Sequence, residues 1–170
     1  VSNHRPDRAD LRWRWWVIDT AGTVLARGAG KLRAAPQADR CAATVDCRDA
    51  VKTAGGVGKL LFWAEVVEGR TVVSRQCGFL ARPKQLDLAK PKIRTRITAA
   101  KAGGFTVRLE ADRPALWVRL ELGREDARFS DNFLHLDRKS PVEVTVVPKR
   151  ELTLAQVKKA LRVTSLADTY

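Results

Sequence analysis

Two small antiparallel β-sandwiches in tandem, an all-β architecture, are the fold that this sequence predicts. Apolar residues recur with a period close to two along most of the chain. Turn formers punctuate that pattern at short intervals, and credible helix is confined to one segment near the end. A polar stretch bracketed by Pro83, Lys84, Lys90 and Pro91 interrupts the pattern, so domains are expected at 1–90 and 91–170.

The first hairpin opens with Leu11-Arg12-Trp13-Arg14-Trp15, which alternates apolar and basic and continues through Trp16, Val17 and Ile18. Asp19-Thr20-Ala21-Gly22 supplies the turn, and Thr23–Arg27 is the returning strand. A second hairpin joins Leu60–Val67 to Thr71–Arg75 through Glu68-Gly69-Arg70. Between the hairpins, Pro36 and Gly55-Gly56 mark loops. A new strand set begins near Ile93: Phe105–Glu110, Leu116–Leu122 and Val142–Val147 all alternate. Thr153-Leu154-Ala155-Gln156 has capping-box spacing, with Val157 and Leu161 following at helical spacing, which predicts a helix of two or three turns. A domain of this size buries only about 60–65% of its unfolded surface, so such modules commonly rest on each other or on a larger neighbour.

Composition narrows the function. The 170 residues are 45% hydrophobic and 30% charged, which excludes disorder and low-complexity classes. No apolar run approaches the roughly 20 residues of a membrane helix, so no membrane partner is expected. The net charge of +13 raises the question of nucleic acid. Its distribution answers no: residues 1–90 carry 16 basic and 9 acidic residues, residues 91–170 carry 16 and 10, and no basic run or tail exists. Arg12, Arg14 and Arg108 alternate with apolar neighbours and read as solvated strand faces. The chain begins at Val1 and contains no Met, so it is expected to be a piece of something longer.

No constellation of nucleophile, base and orienting group is evident. Gly55-Gly56-Val57-Gly58-Lys59 lacks the spacing of a phosphate loop and reads as a flexible connection. Glu125 and Asp126 are adjacent, so in a strand they point to opposite faces. His135, between Leu134 and Leu136, reads as a structural or surface residue. Cys41, Cys47 and Cys77 fit no zinc pattern; a Cys41–Cys47 disulfide and free thiols both remain open, as does the compartment. No catalytic residue, cofactor or metal site is expected. The tryptophans are the one candidate surface. Trp63 and Trp117 lie inside apolar runs and read as core. Trp13 and Trp15 share one strand face and Trp16 lies on the other; these three are the candidates for a sugar or interdomain contact, since flat aromatics stack on pyranose rings.

Arg128-Phe129-Ser130-Asp131-Asn132-Phe133-Leu134-His135-Leu136, followed by Pro141-Val142-Glu143-Val144-Thr145-Val146, resembles the last domain of β-mannosidases of glycoside hydrolase family 2. The tail Leu161–Tyr170 is similar to that family's closing strand. Val1-Ser2-Asn3, Leu11–Arg14 and Asp19–Leu25 resemble the opening hairpin of the immunoglobulin-like domain after the barrel, and Phe79–Leu88 its exit. The resemblance spans the whole chain in order, and Ser130–Asn132 with its flanking phenylalanines is its specific part. Arg138-Lys139-Ser140 departs from the family's Pro-Gly-containing turn.

The resemblance implies two immunoglobulin-like β-sandwiches from the C-terminal end of an enzyme that removes terminal β-D-mannose residues. Such enzymes carry both catalytic glutamates on a TIM barrel, which is absent here, so no catalytic residue is carried over. The implied partners are the catalytic barrel and N-terminal domains of the same parent chain. Two alternatives accompany this reading: a carbohydrate-binding pair with an oligosaccharide partner, and the equivalent region of an exo-β-glucosaminidase. A generic protein-binding module pair gives no reason for the Phe129–Phe133 stretch. Within that stretch, Asp131 and Asn132 are expected to bond nearby backbone in a bend, with Phe129 and Phe133 buried on either side. A calcium site at Asp131 and Asn132 lacks oxygen ligands.

Overall fold

The computed structural model describes residues 1–100, 103–138 and 140–169. Lys139, in the turn that departs from the family pattern, and Tyr170, at the end of the tail, lie outside the described residues. The chain divides into two compact units, Val1–Asp87 and Leu88–Tyr170.

In the first unit the strands are β1 (Ser2–Asn3), β2 (Ala9–Asp19), β3 (Val24–Ala34), β4 (Ala38–Asp39), β5 (Leu60–Glu68) and β6 (Thr71–Phe79), with helix α1 at Arg48–Ala54. Four of them form an antiparallel sheet in the order β3-β2-β5-β6, and β1 pairs with β4 as a separate ribbon. The two predicted hairpins are both present and longer than expected. Asp19 sets the first turn: its carboxylate accepts from the N–H groups of Ala21 (2.9 Å) and Thr23 (2.8 Å), and Gly22 takes the left-handed conformation at φ 89°.

One face of β2 carries Ala9, Leu11, Trp13, Trp15 and Val17, opposite Ala34, Leu32, Gly30, Gly28 and Ala26 of β3. Ala9, Leu11, Leu32 and Ala34 form one apolar cluster, with Trp13, Ala42 and Val66 against it. Val17, Ala50 and Leu60 form a second, packed by Trp15, Phe62, Cys47, Val51 and Ala54. This face is thus covered by α1 and by Ala42 and Cys47, not by a second full sheet. Residues 48–54 lie in the stretch expected to be irregular. They form a short helix that Gly55 ends in the left-handed region at φ 77°, its N–H donating to the Val51 and Lys52 carbonyls.

Strands β7 (Ile93–Ala99), β8 (Phe105–Ala111), β9 (Ala115–Glu121), β10 (Ala127–Phe129), β11 (Leu134–Leu136), β12 (Val142–Pro148) and β13 (Arg162–Thr164) make up the second unit, with helix α2 at Leu154–Ala160. They form two antiparallel sheets in the orders β10-β12-β8-β7 and β11-β9-β13. Ile97, Phe105, Val107, Leu109, Val144 and Val146 of the first sheet meet Val118, Leu120, Leu134 and Leu136 of the second in one core. Each such fully buried side chain contributes roughly 1.5–3 kcal/mol. The capping box on α2 is formed: Thr153 Oγ1 accepts from Gln156 N–H, and the Gln156 side chain returns to Thr153 N–H. Val157 of α2 is buried in the same core.

Candidate functional site

Trp13 and Trp15 stand side by side on one face of the first sheet, where the sequence places them, and both are half-buried. Each ring lies over a glycine of β3. A Cβ built on Gly30 would fall on the Trp13 ring, and one on Gly28 would lie 2.7 Å from Trp15 Cε2. Trp15 also stacks on Phe62, with centroids 6.1 Å apart and planes 18° from parallel. Gly28 and Gly30 are therefore the floor on which these indoles rest, a pairing the sequence reading missed. The signal was legible: two glycines two apart on the strand that pairs with Trp13 and Trp15.

Trp16 projects from the opposite face of the same sheet, together with Trp63 of β5. Their rings stack with planes 5° from parallel and centroids 6.1 Å apart. The Arg75 guanidinium lies 5.0 Å from the Trp63 ring and 5.7 Å from Trp16, and Arg14 lies 5.9 Å from Trp16. Glu65, only 3% exposed, pairs with both Arg14 and Arg75. Its charge is tolerated because two guanidinium groups meet it. Trp63 is 1% exposed, as expected of a core residue. The three candidate tryptophans thus do not form one surface; the sheet separates Trp16 from Trp13 and Trp15.

The Phe129–Phe133 stretch forms the expected bend, with one correction. Asn132 accepts from Leu120 N–H through Oδ1 (2.9 Å) and donates through Nδ2 to Leu120 C=O (2.9 Å). Strand β11 pairs Leu134 with Val118, so Asn132 and Leu120 are the next step of that ladder. The Asn132 carboxamide takes the place of a peptide group there. On the other side, Ser130 N–H donates to Thr145 C=O and Ser130 Oγ accepts from Thr145 N–H, each at 2.9 Å. Asp131 accepts from Asn132 N–H (2.8 Å). Phe129 packs against the core. Phe133 does not: it is 58% exposed and sits at φ 54°. The left-handed backbone at 133 turns its side chain out of the sandwich. For a bulky residue this conformation costs on the order of 1–2 kcal/mol.

Trp117 differs from expectation as well. It is half-buried, not core, and lies at φ 46° in a bulge where β9 slips against β11. Trp117 N–H donates to His135 Nδ1 (3.2 Å), and the two rings meet edge to face at 5.1 Å. Burial holds the His135 imidazole below its ordinary pKa. An Nδ1 that accepts a hydrogen bond requires the neutral ring, so the geometry and the shift agree. His135 is thus held by both the backbone and the ring of Trp117.

The remaining candidates hold structure together. Val57–Lys59 is a single 3-10 turn, so no helix N-terminus faces the glycines before it. Glu125 pairs with Arg150, and Asp126 with Lys149 at 2.8 Å; that ammonium holds the Asp126 carboxyl below the usual range. Lys90 pairs with Asp168 at 2.7 Å and, with Ser165, lowers its carboxyl likewise, fixing the 3-10 turn Leu166–Asp168. No disulfide joins Cys41, Cys47 or Cys77. Among the described residues, no group of three His, Cys, Asp or Glu side chains is placed to hold a metal ion. Nor does any described helix have the length and apolarity to cross a membrane.

Residues 88–169 match the family model Ig_mannosidase, an Ig-fold domain. No curated protein sequence matches the chain. Among solved structures, the β-D-mannosidase of Dictyoglomus thermophilum aligns with 94% of this chain and 19% of its own, at 17% identity and a TM-score of 0.70. The exo-chitosanase CsxA of Amycolatopsis orientalis aligns with 98% of this chain and 24% of its own, at 13% identity and a TM-score of 0.64. At these identities the likeness is one of fold. The chain spans about a fifth to a quarter of the solved chains it matches.

Proposed function

We propose that this chain, whose residues 88–169 are an Ig_mannosidase domain, is the non-catalytic C-terminal accessory region of a β-mannosidase-like retaining glycoside hydrolase, built to pack on a catalytic barrel elsewhere in the parent. The carrying observation is coverage: the alignment with a β-D-mannosidase takes in 94% of this chain, so it reaches into both units. A retaining hydrolysis needs two carboxyl groups about 5–5.5 Å apart on a rigid frame. Here the neighbouring carboxylates Glu125 and Asp126 are each tied to a cation on the bend between β9 and β10. The parent supplies the chemistry, and this chain supplies structure.

A second reading of the parent rests on the exo-chitosanase likeness, which covers 98% of this chain. In that case the parent removes β-glucosaminyl residues instead of β-mannosyl ones. Parallel assays on aryl β-D-mannoside and aryl β-D-glucosaminide, using the full parent polypeptide, separate the two. Hydrolysis of neither would overturn both.

For Trp13 and Trp15 the proposed role is sheet packing. Their rings are occupied by Gly30, Gly28 and Phe62, which supports this reading over sugar stacking. Tryptophan fluorescence of the 170-residue chain should stay unchanged through a titration with manno-oligosaccharides into the millimolar range. A saturable change would restore the carbohydrate-binding alternative.

A further inference from the structure

We propose that Phe133 is a docking anchor: it inserts into an apolar socket on the remaining domains of the parent polypeptide. The proposal rests on the reading of this chain as an accessory region. Three observations carry it.

The first is exposure. Among the described residues, Phe133 at 58% is the most exposed of the large exposed hydrophobic side chains and the only aromatic among them. The second is backbone. At φ 54° a glycine would sit without strain and would present nothing apolar to water. A bulky apolar side chain held at this left-handed, largely exposed position is a cost to the free unit, and a partner that covers it accounts for that cost. The third is rigidity. Asn132 is clamped to both backbone groups of Leu120, Ser130 is tied twice to Thr145, and Leu134 is buried. The ring is therefore presented on a fixed frame, so little conformational freedom remains to be lost on docking. Asp131 and Ser130 beside it are exposed and polar, the composition of a rim around one aromatic anchor.

The occupant follows from length. The matched enzymes carry about three-quarters to four-fifths of their chains outside the region that this chain covers. An aromatic anchor in the second unit is accounted for by packing against that larger remainder.

Hydrogen exchange of residues 129–136 tests this, compared between the 170-residue chain and the full parent. The expected result is protection about tenfold or more higher in the parent. Phe133→Ala should abolish the difference in the parent while leaving the unfolding midpoint of the 170-residue chain within about two degrees. Equal exchange in the two wild-type proteins would overturn the proposal, and that comparison stands even if the variant parent fails to fold. Unchanged protection with a raised KM for an oligosaccharide would overturn it in favour of a sugar contact. A parent that hydrolyses neither aryl glycoside yet protects residues 129–136 refutes the enzymatic reading alone and leaves the anchor standing.

Discussion

Asn132 does with one side chain what a strand does with its backbone, closing on both the N–H and the C=O of Leu120. Removing the carboxamide leaves the N–H and C=O of Leu120 without their partner on that side. Asn132→Ala should therefore destabilise the second unit by about 1–3 kcal/mol in chemical unfolding. Phe133→Gly should act in the opposite direction, because glycine relieves the left-handed strain; a gain of about 1 kcal/mol is expected, read as a rise of a few degrees in the same unit's midpoint. His135 supplies a pH signature. Its folded pKa lies below the ordinary value near 6.5, so as pH falls below that value the unfolded chain takes up a proton that the folded chain does not. Stability is full above the unfolded pKa and falls as pH drops through the window down to the folded one. Between about pH 7.5 and 5.5 the wild-type midpoint should fall and that of His135→Gln should stay flatter. Parallel slopes would mean that His135 titrates alike in both states. At this scale the sequence was partly readable. Two strong turn formers flanked by aromatics announce a bend, and the bend is there. Which aromatic points outward depends on one φ angle and on where Leu120 lies, and local spacing encodes neither.

Among the elements, the long strands were the most legible. Phe105–Ala111 buries alternate residues, and a single slip of register would expose every one of them; Ala9–Asp19 alternates in the same way up to Trp15, after which Val17 and Ile18 are both buried. Helix α1 was hidden for a physical reason: it is only seven residues long, its apolar face is limited to Ala50, Val51 and Ala54, and its N-cap residue is Cys47, which makes no side-chain cap, the Asp46 carboxylate accepting from Arg48 N–H (2.9 Å) instead. Its one clear mark is the glycine pair that ends it. Short strands such as β10, β11 and β13 exist because neighbours template them, and three residues carry no periodicity of their own. The hairpin of β2 and β3 depends on small residues beneath large ones. Gly30→Ala would drive a methyl group into the Trp13 ring and should cost about 1–3 kcal/mol in equilibrium unfolding. Combining it with Trp13→Ala should recover part of that loss, because the clash then has no second partner. An additive double variant would show that the ring does not rest on Gly30.

For the molecule as a whole, two β units carry buried cores, ion-paired charges and tightly held bends, and the candidate groups for chemistry are each engaged structurally. The role proposed for this chain is to complete a larger glycosidase without contributing a catalytic carboxylate. Hydrolysis of p-nitrophenyl β-D-mannoside, measured side by side for the purified 170-residue chain and for the full parent polypeptide, tests it most directly. Turnover is expected from the parent and none from the chain at any protein concentration. Turnover that scales with the concentration of the purified chain, or a parent inactive on both the mannoside and the corresponding glucosaminide, would contradict it.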